Sequence, residues 1–259
     1  MAQGYSIKKE IGQRLRHYRE RAGISEQELA MAVGITQSKL SKLELGRLRP
    51  SPEFIQAIAR PLRIPAREKE ALFESARSLF MEYQTWQIQM HGGGLAGLQS
   101  RVREQEHQAQ TIRSFQMATI PGLLQTEEYA RSVLGQAGAG QSDIEQAVRE
   151  RLKRQTVLND PQKGFYFVVS ESALLSRIVS PGEMKAQLKH LKTLSSRRNI
   201  TIGILPVNLD KLLWHSFVVF DEAEVRLETL TAGITLSDAM SIKTYLEHFE
   251  QLARVAHQF

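Results

Sequence analysis

Cysteine is absent from the chain. Disulfides, thiolate-bound metals and thiol catalysis are thereby excluded, and a cytoplasmic location is expected. No stretch approaches the roughly 18 uninterrupted apolar residues of a membrane helix, so no membrane partner is expected. Met1 to Glu10 contain no apolar segment of the secretory-signal kind. The seven histidines, at positions 17, 91, 107, 190, 215, 248 and 257, show no H-E-x-x-H or H-x-x-E-H spacing, and they read as surface or boundary residues. A G-x-S-x-G elbow is missing as well. The Gly92-Gly93-Gly94 run lacks the G-K-[ST] that a phosphate loop requires. The neighbouring carboxylates Asp221-Glu222 fall in an expected hairpin turn. No catalytic residue, metal or cofactor is therefore expected, and the protein is not expected to be an enzyme.

Acidic residues are in deficit, and the deficit is local. Residues 1–80 carry 15 Lys+Arg against 9 Asp+Glu, whereas residues 81–259 carry 19 of each. The whole net charge of +6 thus lies in the first third of the chain. Neutralising nucleic-acid phosphates needs such a concentrated basic surface. A length of 259 residues suits one large or two modest domains, and 42% hydrophobic residues suffice for a sizeable core.

The first segment reads as five short helices. Ile7, Ile11, Leu15 and Tyr18 form one helical stripe, flanked by Lys8, Lys9, Arg14, Arg16 and Arg19. Ser25 with Glu28 spells a capping box that opens a second helix ending near Val33. Thr36 caps a third, which stops at Gly46. Pro52 starts a fourth in the position proline favours, and Pro65 opens a fifth reaching about Met81. Trp86 to Gly97 has little periodicity and reads as a flexible join. Beyond it, Gln99 to Phe115, Thr126 to Leu134, Ser142 to Leu158, Pro181 to Ser195 and Ser237 to His257 read as helices. Phe165 to Ser170, Asn199 to Leu205, Phe217 to Phe220 and Val225 to Leu230 read as strands. The expected organisation is an all-α helix-turn-helix domain over 1–80, a linker over 81–97, and an α+β domain over 98–259 with a small, mostly antiparallel sheet.

The spacing within Glu26 to Leu45 is the informative part. Two helices that cross closely need a small residue at the crossing, and Ala30 supplies it. The bend between them needs glycine, which Gly34 supplies four residues later. Leu29 and Val33 from the first helix, with Ile35, Leu40 and Leu43 from the second, supply the inner face. Together they spell a helix-turn-helix, whose second helix lies in the DNA major groove. With Leu40 and Leu43 inward, Ser38, Ser41 and Lys42 face outward and Gln37 lies on the flank. Glutamine can read adenine and lysine can reach guanine. Arg47 and Arg49 in the next loop, and Gln27 at the start of the first motif helix, suit phosphates. Double-stranded DNA is thus the expected partner.

The run Leu29 to Pro50, LAMAVGITQSKLSKLELGRLRP, resembles the XRE, or lambda-repressor-like, DNA-binding domain over Ile7 to about Ala76. Glu26 departs from that family's usual phosphate-contacting glutamine. Farther on, Ile120-Pro-Gly-Leu-Leu-Gln-Thr126, Glu127-Glu-Tyr-Ala130, Arg151-Leu-Lys-Arg-Gln155, Ser170-Glu-Ser-Ala-Leu174, Gln187-Leu-Lys-His-Leu191 and Asn199 to Pro206 resemble the C-terminal domain of WhiJ-like regulators. The resemblance implies a transcription factor, often encoded beside a small partner protein in an antitoxin-like arrangement. A homodimer on a near-palindromic operator, nucleoid-associated when bound and modulated by that partner or by a small-molecule effector, is the resulting expectation. The rival is a self-cleaving repressor with a Ser-Lys protease, for which Ala137-Gly138 or Ala139-Gly140 could be the cleavage site. That protease is almost entirely β, and the one S-x-x-K here, Ser6 to Lys9, lies at the edge of the DNA-binding segment.

Overall fold

The computed structural model describes residues 2–86, 90–91, 93–210 and 212–259, with side chains from Ser6 onward. The chain divides into two compact units, Met1–Glu82 and Tyr83–Phe259.

The first unit is all helical: α1 (Ala2–Arg21), α2 (Glu26–Ala32), α3 (Gln37–Glu44), α4 (Pro52–Ala59) and α5 (Ala66–Ser78). The expected caps form. Ser25 Oγ accepts from Glu28 N at 3.2 Å while Glu28 Oε2 accepts from Ser25 N at 2.8 Å. Thr36 caps α3 and Ser51 caps α4, with Pro52 in its first turn. These side chains satisfy amides that a helix start otherwise leaves unpaired. Ile11 and Leu15 of α1 pack with Leu29, Leu40, Ile55, Ile58 and Leu72 into one buried core. α1, at 20 residues, is longer than expected.

The second unit is α+β. Its strands are β1 (Met81–Thr85), β2 (Thr111–Gln116), β3 (Gly164–Ser170), β4 (Ile200–Leu205), β5 (Phe217–Phe220), β6 (Glu224–Glu228), β7 (Ala232–Leu236) and β8 (His257–Gln258). They form one sheet in the order β1-β7-β6-β5-β2-β3-β4-β8. β2, β3 and β4 run parallel, whereas β5, β6 and β7 form an antiparallel meander paired to β2. The helices are α6 (Gly94–Gln108), α7 (Glu127–Gly135), α8 (Gln141–Arg154), α9 (Glu171–Leu175), α10 (Pro181–Ser195) and α11 (Ala239–Val255). Alternation along the strands feeds two cores. Ile112, Phe165, Phe167, Ile200, Ile202 and Phe220 join one cluster with residues of α7 and α10. Phe115, Val168, Leu205, Phe217 and Val219 join the other with Ile242, Phe249 and Leu252 of α11. Burial on both faces is why Phe165 to Ser170 reads as a nearly unbroken apolar run.

The sheet is mixed and larger than the small, mostly antiparallel one expected. Gln99 to Phe115 is not one helix: α6 ends at Gln108 and β2 begins at Thr111. Lys163 closes that helix, its Nζ donating to the His107 carbonyl at 2.7 Å and to that of Ala109. β2 escaped notice because Arg113, Ser114 and Gln116 dilute its apolar pattern, although it is a central strand. Of the join expected over 81–97, Met81–Thr85 is strand and Gly94 already starts α6, while Gln87, Ile88, Gln89 and Gly92 lie outside the described residues. Pro121 to Thr126 behaves as turn and cap chemistry dictates, with Leu123 and Leu124 buried and Thr126 Oγ1 capping α7. Asp221–Ala223 is the β5–β6 turn; Asp221 Oδ1 accepts from the amides of Gln110 and Thr111 at 2.9 and 2.7 Å.

One pH response follows from this packing. Burial, with Arg197 adding repulsion, holds the His190 imidazole below its ordinary range, and burial does the same to His215. Nε2 of His190 is buried without a hydrogen-bond partner among the described residues. The unfolded chain takes up protons near pH 6.5, before the folded chain does. Stability of the second unit should therefore fall as pH drops through about 6.5 and level off below the folded-state value. His190→Gln should flatten that slope in denaturant midpoints measured from pH 7.5 to 5; an unchanged slope would contradict this assignment.

Candidate nucleic-acid interface

The motif helices are held from beneath by apolar contacts and at their ends by caps. Leu29 and Leu40 are fully buried, Ala30 and Leu43 nearly so, and Val33 and Ile35 pack against the same core at partial burial. The turn passes through Gly34, whose φ is +70°, a conformation that side chains with a Cβ disfavour. The Ile35 amide reaches back to the Ala30 carbonyl at 2.9 Å and locks the angle between α2 and α3.

On the outer surface of α3, Gln37, Ser38 and Lys42 are exposed and Ser41 is half-buried. Lys39 is also exposed and adds a second positive charge to that surface. Sequence reasoning passed over it because it lies between the core stripe and the outward face. Arg47 is exposed just past α3, where its amide donates to the Lys42 carbonyl at 2.8 Å and draws the loop back onto the last turn. Gln27 is exposed in the first turn of α2. All seven expected residues therefore lie on α2, α3 or the loop immediately after α3.

Arg49 differs. Its Nη1 donates to the Leu79 carbonyl at 3.0 Å and its guanidinium sits 4.1 Å from the centre of the Phe80 ring. It ties the loop after α3 to the end of α5, an intramolecular use that the sequence did not announce. Glu26 has a local explanation too: its carboxylate lies 4.0 Å from the Arg19 guanidinium.

Two further residues orient α3. Glu44, 3% exposed, receives Arg19 Nε at 2.7 Å and Arg19 Nη2 at 2.8 Å, and Arg19 Nη1 donates to the Ile24 carbonyl at 3.1 Å. A forked pair of this kind fixes both distance and plane. It clamps the last turn of α3 to α1 and to the entry of α2. The Glu44 bond also raises the Arg19 pKa above its ordinary value. Gly12 lets α1 come close, since a Cβ there would stand 2.4 Å from the Glu44 carbonyl oxygen. Neither feature was legible in the motif, although the glycine within the α1 stripe was a signal.

Residues 99–259 match the family described as "Domain of unknown function (DUF5753)". The chain belongs to the DUF5753 family. Residues 10–72 of this DUF5753 protein match a second description, "Helix-turn-helix domain". A helix-turn-helix domain is a DNA-binding unit, and the first unit is one. No curated protein matches the chain. Among solved structures it is similar to Nuc, a phospholipase D family member from Salmonella typhimurium, at 13% identity and a TM-score of 0.38, covering 69% of this chain and 97% of that one. It is also similar to NucT from Helicobacter pylori, at 7% identity and 0.41, covering 69% and 98%. A third is TrmBL2, an archaeal chromatin protein described as showing a novel mode of DNA binding, at 14% and 0.38, covering 80% and 69%. Likeness at these scores carries no argument about function.

Proposed function

We propose that this DUF5753 protein is a sequence-specific transcriptional regulator of the XRE, lambda-repressor-like kind. The observation that carries the reading is the clamped α3, whose outward surface presents Gln37, Ser38 and Lys42 while Leu40 and Leu43 anchor the inner one. These exposed types can address base edges in a major groove. Gln27, Lys39 and Arg47 supply backbone contacts that set register without reading sequence. The protein binds a near-palindromic operator as a homodimer, with half-sites about 34–36 Å apart or a multiple of that. It works in the cytoplasm, on the nucleoid when bound.

The second unit, WhiJ-like and antitoxin-like, receives the signal from a small partner protein or a ligand and performs no catalysis. Self-cleavage is disfavoured on architecture. Ser6 and Lys9 lie on α1 of the DNA-binding unit, and the second unit is a mixed sheet covered by helices, not an all-β protease.

The test begins by selecting a cognate site from random duplexes with the full chain. Gln37→Ala or Lys42→Ala should then cost about 1–3 kcal/mol at that site and little on random DNA. Arg47→Ala should weaken both and flatten the salt dependence by about one unit of slope. Equal losses on specific and random DNA for all three variants would show that α3 is not the recognition helix.

A further inference from the structure

The second unit contains a cavity of about 550 Å³, within the range of about 300–1,000 Å³ typical of small-molecule sites. α6 and α8 form one wall, and β2 with the β5–β6 hairpin forms another. Much of its lining is apolar, including Leu98, Ile112, Leu123 and Phe220. One end carries four polar side chains of α6 and α8, all nearly fully buried: Gln99, Glu106, Arg151 and Arg154.

Their bonding leaves a remainder of one sign. Glu106 takes Arg154 in a fork, at 2.9 Å to Nε and 2.6 Å to Nη2, so that those two charges cancel. Arg151 has no such partner among the described residues. Its Nε donates to Gln99 Oε1 at 3.1 Å and its Nη1 to Gln125 Oε1 at 2.7 Å, both neutral amides. Nη2 makes no hydrogen bond among the described residues. Gln99 Oε1 accepts from Arg154 Nη1 as well. Accepting from two guanidiniums fixes the orientation of that amide, since an NH₂ group cannot face two donors. The Gln99 Nε2 donors then lie opposite, with no acceptor among the described residues. Ser114 of β2, 3% exposed, lines the cavity and its hydroxyl also lacks a partner there. At the rim, Arg226 Nη1 donates to Gln105 Oε1 at 3.0 Å, and the Glu228 carboxylate favours the charged form of Arg151. Burial first, and the Arg154 guanidinium second, push Arg151 down to about 9. The Glu228 and Glu106 carboxylates offset part of this from a distance, without bonding Arg151 among the described residues; a buried guanidinium with no directly bonded carboxylate is costly, and a chain that keeps one gains when something anionic arrives.

We propose that this cavity binds an amphipathic organic acid, its carboxylate on Arg151, Gln99 and Ser114 and its apolar body along Leu98, Ile112, Leu123 and Phe220. Arg151 Nη2 and Gln99 Nε2 can only donate and the Ser114 hydroxyl can donate as well, so the ligand must bring acceptors. The one guanidinium there without a directly bonded carboxylate asks for a monoanion. The apolar remainder distinguishes such an acid from free phosphate, which could not occupy it. The inference deepens the ligand reading of the regulatory unit by naming the ligand class. It is tested on the full chain without DNA, so that it can fail independently of that reading.

The probes are straight-chain carboxylates from hexanoate to dodecanoate, 2-naphthoate, decanol and inorganic phosphate, titrated by calorimetry. At least one carboxylate should bind saturably, more tightly than decanol by about 10- to 100-fold, as a charge-assisted bond predicts, and phosphate should not compete. Arg151→Met should remove that preference and leave thermal stability equal or higher. Ser114→Ala, which removes only the hydroxyl and leaves the charge unchanged, should lower carboxylate affinity about 2- to 10-fold and decides the matter should the Arg151 variant not fold. Failure of every carboxylate to saturate, or binding that neither substitution weakens, overturns the proposal. Operator titration with and without the bound acid then reads regulation alone.

Discussion

Glu44→Ala is expected to remove most of the stability of the DNA-binding unit. The substitution strands the Arg19 guanidinium, whose Nε and Nη2 lose the carboxylate they share at 2.7 and 2.8 Å. Breaking a buried pair from one side costs about 3–5 kcal/mol, against a total of about 5–15 kcal/mol for a typical domain. A helical unit of this size sits toward the lower end of that range, so little stability remains. Both tryptophans, Trp86 and Trp214, lie in the second unit, which makes the readout separable. Far-UV circular dichroism of the full chain should show an early loss of helix, while the tryptophan fluorescence midpoint in denaturant stays put. DNA binding should disappear with the early transition. The paired replacement Arg19→Met with Glu44→Leu should recover much of the helix, because no buried charge is left alone. If Glu44→Ala alone cost less than about 1 kcal/mol, the pair would rank with exposed ones, and its role as the clamp of α3 would be refuted.

The second large effect is expected in the other unit. Glu106→Ala should destabilise it by about 3–5 kcal/mol. Glu106 is 4% exposed and provides the only carboxylate within ion-pair distance of Arg154 among the described residues. Without it Arg154 and Arg151 face each other, sharing little more than the Gln99 carbonyl oxygen. Tryptophan fluorescence should now report the loss, and the helical signal of the DNA-binding unit should persist. Adding Arg154→Ala to this variant should restore part of the stability, since one stranded charge is removed. A second substitution that made matters worse would mean that Arg154 contributes packing rather than charge.

Much of the DNA-binding unit was legible because its determinants are short-range. Ser25 and Glu28 stand three residues apart and cap α2 as their spacing requires. Ala30, Gly34, Leu40 and Leu43 set the turn and the inner face of α3, and their order alone selects which side chains point out. The clamp was not legible. Arg19 and Glu44 stand 25 residues apart, and on a helical wheel each reads as an ordinary surface charge. The intramolecular contacts of Arg49 were not legible for a similar reason: its partners, Leu79 and Phe80, come from the far end of the unit.

In the second unit the strands buried on both faces announced themselves through Phe165 to Ser170 and Asn199 to Leu205. β2 did not, because two of the three residues on one face of that strand are polar: Ser114 and Gln116 line the cavity alongside Ile112. The feature that hid the strand is the one that gives the cavity its chemistry. The paired carboxamides and arginines were hidden likewise. Gln99 and Glu106, and Arg151 and Arg154, lie on helical faces that a polar alphabet marks as solvent-facing, until α6 and α8 pack and turn them toward each other. The sequence by itself therefore determined where the chain turns, which helix can enter a groove and where the basic charge gathers, since caps, periodicity and composition act within a few residues. Which polar groups are buried, which charges cancel and which are left over was decided only by the tertiary structure, because desolvation depends on neighbours that the chain brings together from 25 to 55 positions away.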